Sequence, residues 1–92
     1  MKKHFNIHVK GRVQGVGFRM SAKQKAQILE INGFVRNEPD GSVYIEAEGN
    51  SENLREFIAW CKQGPRFSEV DKIDVKEGTL QNYENFTILY GT

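Results

Sequence analysis

The chain is sparing in several residue types, and each shortage excludes something. Among 92 residues there are one cysteine, Cys61, two prolines and one tryptophan. A lone cysteine rules out an internal disulfide and any cysteine-based metal cluster. No stretch approaches the ~18 apolar residues that a bilayer-spanning helix requires, so no membrane partner is expected. Met1-Lys2-Lys3 is basic, but an alternating segment follows it instead of the apolar run of a signal peptide. An excess of one charge is missing as well: Lys and Arg total 13 against 12 Asp and Glu, a net +1. Tight nucleic-acid binding draws on a clear basic excess, so no nucleic-acid partner is expected either. The expected location is the cytoplasm.

What remains fits one domain covering residues 1–92, read as a monomer. A chain of this length buries somewhat over ~60% of its unfolded surface, enough for one modest core. Phe5, Ile7, Val9, Gly11 and Val13 alternate with His4, Asn6, His8, Lys10 and Arg12, the period of a strand with one dry and one wet face. From Met20 the period changes: Ala22, Ala26 and Leu29, with Ile28 beside them, describe an amphipathic helix that Asn32-Gly33 closes. Phe34–Asn37 and Val43–Ala47 read as a hairpin around Pro39-Asp40-Gly41. Asn50 or Ser51 can cap a second helix carrying Leu54, Phe57, Ile58 and Cys61 on one stripe, ended by Gly64-Pro65. Val70, Ile73 and Val75 suggest a fourth strand, and Phe86, Ile88 and Tyr90 a short last one. The expected fold class is α+β: a ferredoxin-like two-layer sandwich, β-α-β-β-α-β with a short C-terminal strand. Its two helices should cover one face of an antiparallel sheet and leave the other face to water.

The segment Val9–Arg19 carries the most chemistry. It leaves a strand, passes through a turn containing Gly15 and Gly17, and delivers Arg19 where a helix begins. Backbone N–H groups of such a turn converge, a helix N-terminus adds partial positive charge, and an arginine fork adds a full one. That combination binds an anion, most naturally a phosphate. Neither the G-x-G-x-x-G nor the G-K-[ST] nucleotide spacing is present, which favours a small phosphate-bearing ligand. Gln14, Gly15, Val16, Gly17 and Phe18 form the candidate cradle. The two glycines serve either a positive φ or close approach of a ligand, and Phe18 reads as a core anchor. Arg19 opposes the helix dipole at a helix start, a position that suits a cation with an anion to bind. Asn37 can orient a water without ionising, although alone it could simply start the hairpin turn.

Two segments together, V-x-G-x-V-Q-G-V-x-F-R over Val9–Arg19 and G-F-V-R-N-x-x-x-G-x-V over Gly33–Val43 followed by Gly49, closely resemble the signature motifs of the acylphosphatases. The order of elements over nearly the whole chain agrees. The resemblance implies hydrolysis of small-molecule acyl phosphates, with Arg19 on the substrate phosphate and Asn37 positioning the attacking water. It implies no metal, no cofactor and no phosphoenzyme. The chain departs from the family pattern at Glu30, where a glycine is frequent, and at Leu89, where a basic residue is frequent. Glu30 should alter the helix end and leave the site intact.

Other residues invite less. His4 and His8 share a strand face about 13 Å apart, too far for one metal, and are expected to be solvated. Asp40 reads as turn chemistry, with Glu38 beside it, and Cys61 and Trp60 read as packing. Arg66 is assigned no role. Among rival readings, an RNA-binding module would expose aromatics on central strands, whereas Glu46 and Glu48 stand there. A metal carrier would need a cysteine pair. The strongest rival is a non-catalytic phosphate- or carbamoyl-phosphate-binding module of the same fold.

Overall fold

The structure, a computed structural model, describes residues 1–90. Its elements run β1 (Lys2–Arg12), α1 (Phe18–Ile28), β2 (Asn32–Asn37), β3 (Val43–Asn50), α2 (Ser51–Gln63), β4 (Glu69–Gly78) and β5 (Phe86–Leu89). The sheet order is β4-β1-β3-β2-β5. The expected α+β two-layer sandwich is present: α1 lies over β2 and β5, and α2 over β1, β3 and β4. Between the layers sit Ile7, Val9 and Val13 of the first strand region, Val35, Val43, Ile45 and Ala47, and from the helices Phe18, Ala22, Ala26, Leu54, Phe57 and Cys61. Trp60 bridges the two helices, its ring 5.3 Å from Phe18 and 6.1 Å from Phe57. Burial pushes the Cys61 thiol well above its ordinary pKa, which keeps it neutral and inert.

The sheet is mixed, not purely antiparallel as the sequence suggested. β1 pairs antiparallel with β3 and β4, and β2 with β3, but β5 runs parallel to β2. The cause lies in the connection. β4 occupies one edge, and residues 79–85 cross directly to the opposite edge, so β5 starts at the end of the sheet where β4 stopped and runs back alongside β2. An antiparallel β5 would first need the chain to travel the length of the sheet.

The same crossing overturns the expectation that His4 and the part of the sheet's second face around it are open to water. His4 is 3% exposed and Glu48 1%. His4 Nδ1 lies 2.7 Å from Glu48 Oε2, and its Nε2 lies 2.7 Å from Asn6 Oδ1. Glu48 also accepts from the backbone N–H groups of Gln81 and Tyr83. Tyr83 then lays its ring against Phe34 and donates its hydroxyl to Glu46 at 2.7 Å. A polar cluster on the second face thus ties down the strap.

Helix ends follow local rules with one exception. Asn50 caps α2, its side chain accepting from Glu52 N–H at 2.9 Å. α1 stops earlier than Asn32-Gly33. Ile31 N–H reaches Ala26 O at 2.8 Å and Glu30 N–H reaches Gln27 O at 3.3 Å, the paired bonds of a Schellman ending. Glu30 therefore holds the left-handed position, at φ 56°. Ile28, one step before the cap and beside the buried stripe, is 74% exposed.

Candidate active site

The site is built where β1 ends, α1 begins and β2 runs into its hairpin. A cavity of about 140 Å³ is lined by Val13, Gly15, Gly17, Phe18, Arg19, Met20, Asn37, Ile88 and Tyr90. That is below the ~300–1,000 Å³ common for larger organic ligands and suits a phosphoryl-sized group. Arg19 and Asn37, chosen from sequence on separate elements, face the same cavity, and both are half-buried.

The cradle has the backbone its glycines allow. Gly15 and Gly17 sit at φ 73° and 77°, the left-handed region. A Cβ placed on either would meet no protein atom within 4 Å. Protein packing therefore does not demand glycine here. The backbone conformation does, and the side from which a Cβ is missing is open. Gly17 is also the N-cap of α1 and offers no side-chain cap, so the N–H groups of the first helical turn are left for a ligand. Phe18, 2% exposed, drives its ring into the core beneath and fixes the start of the helix. Arg19, next along, has its guanidinium carbon 5.0 Å from the centre of the Tyr90 ring.

Gln14 does more than permit the turn. Its Nε2 donates to Glu38 O at 2.8 Å and to Ser42 O at 2.9 Å, clasping the cradle to the β2–β3 hairpin. The sequence reading gave the cradle side chains no such task, because the partners are backbone carbonyls 24 and 28 positions away. Val16 packs against the core cluster and does not border the cavity.

Asn37 ends β2, paired with Val43. The side-chain bonds that close the following turn come from Asp40, whose Oδ1 accepts from Ser42 N–H at 2.9 Å and Ser42 Oγ at 2.5 Å. These two bonds hold the Asp40 carboxyl below its ordinary pKa. Turn chemistry is thus accounted for by Asp40, as its position suggested, and Asn37 is left to face the cavity. Glu38 pairs with Arg36 at 3.2 Å, and Arg66 lies exposed over the Phe67 ring, not on the cavity. Among the described residues no group of three or more His, Cys, Asp or Glu side chains is placed to hold a metal ion. A left-handed glycine turn at a helix N-terminus, an arginine and a carboxamide around a small open cavity can hold a phosphoryl group and align a water on it.

Comparison with known proteins agrees with the geometry. The family model for acylphosphatase matches residues 5–88. An acylphosphatase from Ligilactobacillus salivarius is 47% identical over 89 residues, covering 96% of this chain and 99% of that one. An acylphosphatase from Methylococcus capsulatus is 47% identical over 88 residues, with 95% and 96% covered. Among solved structures, acylphosphatase from Bacillus subtilis superposes with a TM-score of 0.93 at 41% identity, over 98% of this chain and 100% of its own.

Proposed function

The chain belongs to the acylphosphatase family, and we propose that it works through Arg19, Asn37 and the 14–18 backbone. Its activity is the hydrolysis of acyl phosphates to a carboxylate and inorganic phosphate. In the proposed mechanism Arg19 and the cradle N–H groups hold the phosphoryl oxygens and neutralise charge that grows during transfer. Asn37 accepts a hydrogen bond from a water and turns its oxygen toward phosphorus. The P–O bond to water forms as the bond to the acyl oxygen breaks. The carboxylate leaves without needing a proton, and the water's proton passes to a phosphoryl oxygen. These donors, backbone N–H groups and a guanidinium, act on an anion directly, so the scheme uses no metal and no covalent enzyme intermediate.

The observation that carries this reading is the meeting of Arg19 and Asn37 on one cavity with the left-handed Gly15 and Gly17. Location and association follow the same inference. The lack of a basic excess favours action without nucleic acid, and the single buried cysteine favours the cytoplasm, where the chain is read as a monomer. No helix among the described residues is long and apolar enough to cross a membrane.

The test is benzoyl phosphate hydrolysis in EDTA by the wild type and by Arg19→Ala. Turnover that survives EDTA and disappears in the variant supports the scheme. A folded wild type with no turnover would indicate a phosphate-binding module.

A further inference from the structure

On the sheet face away from the helices, His8 Nε2 lies 2.6 Å from Ser42 Oγ. Ser42 is 3% exposed and spends its single hydroxyl proton on Asp40 Oδ1. The hydroxyl is therefore the acceptor toward His8, which makes His8 Nε2–H the donor and fixes the ring's tautomer. Tyr44 meets the His8 ring edge-on, with centroids 6.2 Å apart. The carbonyl of the same serine accepts from Gln14 Nε2 at 2.9 Å and from Glu38 N–H at 2.8 Å. Ser42 thereby joins the phosphate cradle, the residue after Asn37, the hairpin turn and, through His8, the opposite face of the sheet.

We propose that His8 is a positioning residue for the hydrolysis: by donating to Ser42 Oγ it holds the Asn37-bearing hairpin in register against the cradle. The inference rests on the reading that Arg19, Asn37 and the 14–18 backbone form the site. Asn37 pairs with Val43 at the end of β2, and the chain beyond it turns back through the hairpin tip. The cradle is continuous with β1 and pinned by the buried Phe18, whereas the hairpin tip at Pro39, Asp40 and Gly41 is exposed. Loss of the His8 bond frees the Ser42 hydroxyl from one of its two partners and loosens the tip. Asn37 then moves relative to a phosphoryl group that stays bound. The consequence falls on turnover more than on substrate binding.

The experiment is steady-state hydrolysis of benzoyl phosphate by wild type, His8→Ala, His8→Gln, Ser42→Ala, the His8→Ala/Ser42→Ala double variant and Arg19→Ala, each with its thermal melt. In His8→Ala, kcat is expected to drop about threefold to tenfold, the effect of one neutral hydrogen bond, with KM within about twofold. His8→Gln carries an N–H donor at similar reach and should recover most of the loss. In the Ser42→Ala background, removal of His8 should cost nothing further. Wild-type kcat in His8→Ala, even with a lowered Tm, overturns the proposal, as do an unrescued His8→Gln or fully additive losses. Turnover retained in Arg19→Ala would instead overturn the reading of the site on which the proposal stands.

Discussion

The Arg19 guanidinium lies over the Tyr90 ring at 5.0 Å, so the residue proposed to hold the phosphate is steadied by an aromatic face from beyond β5. Tyr90 is itself 71% exposed, which sets the contact at the weaker end of cation–π attraction, about 0.5–1 kcal/mol. Tyr90→Leu is expected to raise the KM for an acyl phosphate roughly twofold to fivefold. Tyr90→Phe should retain the wild-type value, since the ring and not the hydroxyl makes the contact. Initial-rate kinetics on the two variants decides it.

Arg19 and Asn37 should separate kinetically. Arg19→Ala removes charge that acts on bound and transition states alike and is expected to lose both affinity and turnover. Asn37→Ala leaves the cradle in place and should mainly lose kcat, by roughly 10²-fold or more. Competitive inhibition by inorganic phosphate measures the cradle directly: it should persist in Asn37→Ala and vanish in Arg19→Ala. Near-normal kcat in Asn37→Ala would remove its water-positioning role.

Glu48 gives the fold an acid limit. Burial by itself would raise its carboxyl pKa, but the Gln81 N–H, the His4 ring and the Tyr83 N–H together hold it below the ordinary value. A carboxyl depressed in the folded state adds stability at pH values above its unfolded pKa of about 4.3. That stability is lost as pH drops through the lower folded value. Urea midpoints measured from pH 7 downward should therefore hold until about pH 4 and then fall. Glu48→Gln is expected to lose about 2–4 kcal/mol at pH 7 and to show a flatter acid limb, because a buried imidazole and two backbone N–H groups lose their charged acceptor.

Glu30 occupies the left-handed C-terminal position of α1 at φ 56°, where a side chain costs roughly 1–2 kcal/mol. Glycine relieves that cost but loses more entropy on folding, which offsets about half of the gain. Glu30→Gly is thus expected to stabilise the protein by about 0.5–1 kcal/mol in chemical denaturation. Its kcat should not change, since the Schellman ending is at the far end of α1 from Arg19.

How legible each part was depended on the range of the interaction that produced it. Strand and helix periods, the Asn50 cap and the Asp40 turn rest on neighbours within a few residues and could be read directly. Arg19, the glycine turn and Asn37 were legible because their chemistry is carried by residue type within two short motifs. The role of Gln14 was hidden, because its carboxamide finds carbonyls on another element. His4 and Glu48 were misplaced as solvated for the same reason: alternation tells which face a side chain takes, not what later crosses that face.

The sequence by itself determined the two-layer α+β fold, the glycine turn at the start of α1 and the family to which the chain belongs, since backbone propensity, burial period and residue type within short motifs act locally. Only the tertiary structure decided that β5 lies parallel to β2, that residues 79–85 bury the His4–Glu48 pair, and that Ser42 joins His8 to the cradle. The first two depend on which edge of the sheet the chain reaches after β4, and the third on which polar groups meet where the β2–β3 hairpin lies against β1 and the 14–18 turn. Such a meeting is a free-energy balance over the whole fold, and no short window of sequence contains it.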